Sequence, residues 1–376
     1  MGLNSGSGAS MGAVTPQAIV KVNGQVLASN FNERLTSVSV EDKNGVTSDS
    51  VRLELKDGNP FVEIPKKGDI LEIWLGYAET GVAYFGKYTV DDPEVSMFPF
   101  KISISGKGAD MRDGLKSQKS RHWDNKTLKD VITDIAKDNS LEPKIDEELG
   151  AHKYEWLGQQ DESDVHFAER LAKRHGALFS VKDGKLIFSK KGSTKTTTGK
   201  DITPVVARPE NIVNGTARVK FSYRSKFKKV KAHVQDKGTA TREEVESDSD
   251  SEGTADYEIQ EPFADKDEAE AAAKAKANEL KTQTVSASVT LLGDPTVRAG
   301  APFSFENCRP EIDGMIFTIE SANHELSKGG GYTVAIEASI NADEDEKAKK
   351  GKKGKKKKGK GSTATHDLDW SDVEGK

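Results

Sequence analysis

From Gln17 to about Lys107 the pattern of apolar and polar positions reads as strand after strand. Leu35–Val40 and Val51–Leu55 alternate at period two, and Ala18–Val22, Ile70–Leu75, Tyr84–Val90 and Phe100–Ser105 carry further strand-like runs. Asn23-Gly24 between Ala18–Val22 and Gln25–Leu27 is a hairpin signal, because both residues tolerate the positive φ of a tight primed turn. Pro60, Pro65, Gly68, Gly76, Gly81, Gly86 and Pro93 punctuate the runs. Many short strands at this spacing predict a small antiparallel barrel or sandwich over residues 17–109.

From about Asp110 the period lengthens. Leu128, Val131, Ile132 and Ile135 form an apolar stripe that predicts a helix over Thr127–Asp138, with Asn125 or Asp124 as cap and Asn139 as a left-handed terminator. Leu141–Trp156 is expected to be a connection. A second helix follows. Asp161 or Ser163 caps it, Val165, Phe167, Ala168, Leu171 and Ala172 supply its apolar face, and Arg170, Lys173 and Arg174 lie at its cation-favouring end. Gly176 stops it, since glycine enters the left-handed region without penalty. Ala177–Val181 and Leu186–Phe188 are then two strands around the Asp183-Gly184 turn.

Gly192–Gly199 is a polar linker, after which alternation resumes at Val219, Phe221 and Tyr223, with Val230–Val234 expected in the same sheet. Arg242–Glu252 is so acidic that a solvated loop is expected, and its spacing lacks the turn glycine and terminal glutamate of a calcium loop. Asp265–Lys281 is a capped, alanine-rich helix with acids leading and lysines following. Strands return at Thr284–Leu291, Met315–Ser321 and Tyr332–Ala338.

Two stretches carry a resemblance. Gln160, Glu162, Ser163, Asp164, Phe167, Arg170, Leu171, Ala172, Gly176, Phe179, Leu186 and Phe188 form a segment that resembles one in the phage late-control protein D family. Type VI secretion spike and tail hub proteins have a similar segment. Gly293, Pro295, Gly300, Gly314, Phe317, Ile319, His324, Tyr332, Thr333 and Ile336 resemble the C-terminal motif of the same family, departing from it where Val334 stands in place of a second threonine. With the β regions before and between them, the resemblance spans roughly residues 17–340.

Composition narrows the chemistry. Cys308 is the only cysteine, so no intrachain disulfide or cysteine-based zinc cluster can form, and it is expected to be a small, partly buried residue. The net charge of −5 conceals an asymmetry: Lys347–Lys360 holds ten lysines, and without them 46 basic residues face 61 acidic ones. The body is therefore acidic and the tract strongly basic, capable of transient, nonspecific DNA contact through phosphate neutralisation. Residues 1–16 are Gly/Ser-rich, without the basic start or apolar run of a signal peptide, and are expected to be flexible. No stretch approaches the ~20 apolar residues of a membrane span, so no stable membrane insertion is expected. The seven histidines are scattered, and His175 and His324 are expected to be structural hydrogen-bonders. No catalytic, cofactor-binding or metal-binding residue is assigned, no cofactor is expected, and the chain is not expected to be an enzyme.

The expected fold is mainly β with an α+β insert, and the resemblance implies that it comprises two small, tail-tube-like antiparallel β-barrels over 17–109 and 196–340 and a LysM-like helix/hairpin domain over 110–195. An acidic loop and helix are inserted at 236–282, and a charged disordered tail occupies 341–376. The resemblance implies a structural baseplate hub of a contractile phage tail or phage-like injection particle, assembled in the bacterial cytoplasm. It implies a homotrimer joining a sixfold tail tube to a threefold central spike. Tail tube protein, central spike protein, other baseplate proteins and the tape measure protein are the implied partners. Two alternatives stay open: a cell-wall-directed glycan-binding or peptidoglycan-hydrolase tail component, suggested by the LysM-like insert, and a type VI secretion spike-like hub.

Overall fold

The computed structural model describes residues 14–26, 31–45, 47–108, 113–182, 184–191, 202–222, 226–235, 242–249, 253–263 and 265–341. The expectations for the N-terminal segment, the linker after Gly192 and the lysine tract fall wholly or largely outside them. The first β region holds β1 (Pro16–Val22), β2 (Gln25–Val26), a single turn α1 (Phe31–Arg34), β3 (Leu35–Lys43), β4 (Ser50–Lys56), β5 (Ile70–Tyr77), β6 (Gly81–Val90), β7 (Glu94–Ser96) and β8 (Lys101–Gly108). The insert holds α2 (Asp113–Lys116), β9 (Gln118–Thr127), α3 (Leu128–Asp138), β10 (Glu142–Ile145), α4 (Glu147–Gly150), β11 (Lys153–Ser163), α5 (Asp164–Arg174), β12 (Ala177–Lys182) and β13 (Lys185–Lys190). The remainder holds β14 (Val205–Ala207), β15 (Arg218–Phe221), β16 (Phe227–Gln235), β17 (Arg242–Asp248), β18 (Ala255–Glu258), α6 (Lys266–Thr282), β19 (Val285–Leu292), β20 (Pro302–Phe305), β21 (Phe317–Ser327) and β22 (Gly331–Ile340).

The molecule is mainly β, as the alternation implies, but the two β regions are not separate barrels. They join in one 14-stranded sheet of order β15-β19-β22-β21-β3-β4-β8-β6-β5-β1-β2, with β7, β14 and β20 branching from it. The hydrogen-bonded order is an open path, with no closed barrel among the described strands. The junction is β3 against β21, antiparallel from Ser37↔Ser327 to Lys43↔Ser321. One continuous core follows: Val38, Val40, Leu53 and Ile73 from the first region pack in the same cluster as Phe303, Phe317, Ile319 and Val334. Burying apolar area at about 25 cal/mol per Å² rewards fusing two small cores into one.

The insert has its own core, in which α3 and α5 cover a two-stranded sheet, β9 with β11, and a three-stranded sheet of order β10-β13-β12. The expected connection over Leu141–Trp156 thus contains β10, α4 and the start of β11. Thr127, not Asn125 or Asp124, caps α3, in a reciprocal box with Asp130. Asn139 is not left-handed, at φ −106°, and the left-handed position is Ser140 at φ 56°. Ser163 caps α5, and Gly176 takes φ 59° behind it.

A third small core lies where α6 covers a sheet of order β17-β16-β18. Val230–Val234 therefore belongs to this sheet and not to the large one. Arg242–Asp248, expected as an acidic loop, is β17 paired along β16 from Lys229↔Asp248 to Gln235↔Arg242. Its acids face lysines, with Lys231 Nζ 3.2 Å from Glu244 and 3.6 Å from Glu246, so pairing removes the charge penalty that argued against a strand. Ala269, Ala272, Ala273 and Ala277 let α6 lie close on the sheet.

Candidate functional site

The first motif builds the insert from inside. Ser163 Oγ accepts the His166 N–H at 3.2 Å, satisfying a free amide of the first turn of α5. Asp164 beside it is fully buried. A buried carboxylate is costly unless paired, and four donors meet this one: Lys119 at 2.6 Å, Arg121 at 2.8 Å, Asn139 at 2.9 Å and Gln159 at 3.0 Å. Burial pushes its pKa up, but the bonds from Lys119, Gln159 and Asn139 and the charge of Arg121 outweigh that and hold it below the usual carboxylate value. Arg170 pairs with Glu162 and lies 5.1 Å over the Phe167 ring, which stacks at 5.2 Å on Trp123. The motif residues thus organise a core. Lys119, Arg121 and Gln159 were not singled out by sequence, and Asn139 only as a helix terminator, because their partnership with Asp164 joins separate elements.

The second motif locks the two β regions together. His324 is fully buried, its Nδ1 2.8 Å from the Tyr332 hydroxyl and its Nε2 3.1 Å from the Val297 carbonyl. Burial, helped by the nearby Arg298 charge, lowers its pKa to about 3, so it is neutral. A Cβ on Gly293 would stand 2.2 Å from the Tyr332 ring, which is why only glycine fits there. Tyr77 of β5 donates to the Gly293 carbonyl at 2.8 Å, and Phe85 of β6 meets the His324 ring at 4.5 Å. Arg298 lies 3.9 Å over Phe85 and donates to the Tyr84 carbonyl at 3.1 Å. His175 is also a structural group: its Nε2 is 2.5 Å from the Tyr154 hydroxyl, and burial, then the His152 charge, lowers its pKa to about 4.

Among the described residues, no group of three or more His, Cys, Asp or Glu side chains is arranged to hold a metal ion, and no helix is long and apolar enough to cross a membrane. Cys308 is exposed rather than partly buried. The candidate functional features are surfaces. The solvent face of the large sheet carries short hydroxyl side chains, among them Ser37, Ser39, Ser103, Ser105, Ser286 and Ser288, with ion pairs such as Lys101–Glu54 at 2.8 Å. An aromatic cluster lies near the β7–β8 turn: Phe98, 85% exposed, meets Phe100 at 5.0 Å, and Phe100 meets Phe61 at 5.4 Å. Among the described strands β15 pairs only with β19 and β7 only with β8, so each leaves one edge open.

Comparison with known proteins places these surfaces in context. The chain is 35% identical over 190 residues to a probable baseplate hub protein of Escherichia phage 186, covering 50% of this chain and 49% of that protein. It is 33% identical over 192 residues to the corresponding protein of Escherichia phage P2, covering 51% and 50%. The chain thus matches about half the length of these curated relatives. Its fold is similar to the crystal structure of a 43 kDa tail protein of prophage MuSo2 from Shewanella oneidensis, with a TM-score of 0.66 at 18% identity, covering 86% of this chain and 98% of that one. The family model for the phage tail baseplate hub (GPD) matches residues 91–330, and the chain belongs to that family.

Proposed function

We propose that this chain is a non-enzymatic, trimeric adaptor in a contractile phage tail or phage-like injection particle, joining a sixfold tail tube to a threefold central spike. The observation that carries this reading is the single sheet that sets two β regions side by side through β3 and β21. Three such chains present six laterally arranged β units, which suit a sixfold ring on one side and a threefold partner on the other. The hydroxyl-rich face suits a wall past which a polymer slides, because it offers no apolar or uniformly charged surface to hold one. Tail tube, central spike and tape measure proteins are the proposed partners, with assembly in the bacterial cytoplasm. In this scheme residues 17–109 and 196–340 are the ring units. The 110–195 insert is a LysM-like support outside them.

Electron microscopy of the purified full chain tests the reading. A threefold ring with an open lumen is expected. A strict monomer at tens of micromolar that also fails to form rings with tail tube protein would remove it.

A further inference from the structure

We infer that copies of this chain join head to tail through β15 of one and β7 of the next, extending the large sheet from subunit to subunit. This deepens the trimer reading and rests on it. Three observations lead there.

The first is direction. From β15 to β7 the strands run β15-β19-β22-β21-β3-β4-β8-β7, and every neighbouring pair is antiparallel. An even run of alternating strands ends with β7 opposite in direction to β15. A second copy rotated about an axis along the strands therefore presents β15 antiparallel to the first copy's β7, and the alternation continues without a break. Such a contact is heterologous, and in a trimer a threefold rotation repeats it into a closed ring.

The second is a match on both faces of the sheet. Register places Arg218 beside Ser288 and Lys220 beside Ser286, on the polar face, and Val219 beside Ala287, on the core face. At the other edge Glu94 lies beside Ser103 on the polar face and Val95 beside Ile102 on the core face. Arg218, Lys220 and Phe221 are exposed on one edge, and Asp92, Glu94 and Val95 on the other. Joining the edges sets bases against acids on the polar side and Val219 and Phe221 against Val95 on the apolar side. A one-residue slip would exchange the faces and lose both matches.

The third is selection among edges. β2, at the far end of the path, has two residues and no charge, and β14 has no charged side chain. Neither offers β15 an acidic counterpart. An unpaired strand edge is also a liability that a neighbouring copy removes.

The test is a charge swap in the full-length chain, read by native mass spectrometry and by light scattering across a dilution series, with circular dichroism to confirm folding. R218E/K220E should set acid against acid, and D92K/E94K base against base. Each should shift the trimer–monomer midpoint at least about tenfold toward monomer, the scale of one to two lost cross-strand charge pairs. The chain carrying all four substitutions should recover the trimer. If folded single-edge variants keep the native midpoint, or the fourfold swap stays monomeric, this edge assignment is overturned while the trimer stands. If the native chain itself is a monomer throughout, the trimer reading falls and takes this inference with it.

Discussion

The insert and the large sheet reach stability by different routes. The insert surrounds one buried carboxylate, Asp164, with two cations and two amides, and caps its helices with neighbours in sequence, Thr127 with Asp130 and Ser163 with the His166 amide. The sheet holds itself by pairings across the whole chain: Ser39 Oγ to Asn323 at 2.8 Å, and Tyr77 to the Gly293 carbonyl at 2.8 Å. Their cores share no residue. A region built from local bonds can fail alone, whereas one built from distant pairings fails as a whole.

The largest expected break is Phe167→Ala. Phe167 is fully buried and stacked on Trp123, and such a truncation costs about 3–5 kcal/mol. Leu171→Ala should act in the same direction at about 2–5 kcal/mol. The insert should unfold and the sheet should not, so limited proteolysis should cut between residues 110 and 195 and leave the remainder intact. Cleavage spread through the sheet would show that the two regions are one cooperative unit.

Next comes Asp164→Asn, which keeps the shape and removes the charge. Lys119 and Arg121 then lose their buried counter-ion, and because both are partly exposed the cost is held to about 2 kcal/mol. Urea denaturation followed by Trp123 fluorescence should register it in the insert's transition alone.

The same division explains how far the sequence could be read. Ser163, Gly176 and the Val131–Ile135 stripe act within a few residues of themselves, so their roles in the insert are visible in a linear pattern. Period-two alternation identifies strands but not their neighbours. β16 and β3 both alternate, yet one lies under α6 and the other joins β21, hundreds of positions away. β17 was hidden because its acids read as solvated until the lysines of β16 stand opposite them. Which edges match depends on the parity of eight consecutive antiparallel strands, and no stretch of sequence contains that.

In the sheet, pH offers a graded probe. His324 has a folded pKa of about 3 against an ordinary 6.5, because burial and then Arg298 oppose its charge. Below pH 6.5 the unfolded chain takes up a proton that the folded chain refuses, so this contribution to stability is complete above 6.5 and is lost progressively toward 3. Each pH unit in that window should cost up to about 1.4 kcal/mol. His324→Gln should flatten the slope of sheet stability between pH 6.5 and 5, and an unchanged slope would assign the acid sensitivity elsewhere.

The smallest effect belongs to the contact between the two regions. Lys182, at the end of β12, sits between Asp42 and Asp49 of the sheet, pairing with Asp42 and standing 3.2 Å from Asp49. Burial pushes the Asp49 carboxyl pKa up, while Lys182 pulls the other way. Removing one partner of a buried pair usually costs several kcal/mol, but here the insert is free to move. If it swings off the sheet, water reaches both carboxylates and the penalty is relieved, so the cost cannot exceed the free energy of docking. Arg174 still ties α5 to Glu268 of α6 at 2.9 Å, which limits the excursion. Lys182→Ala should therefore lower global stability by only about 1 kcal/mol. It should raise amide exchange at Lys43, whose N–H donates to Asp49 at 2.9 Å, and at Ala299, whose N–H donates to Asp42 at 2.9 Å. Core amides of α3 and α5 should keep their protection. Loss of protection in the insert core as well would mean that docking on the sheet sustains the insert's fold, and the separation drawn between the two regions would fail.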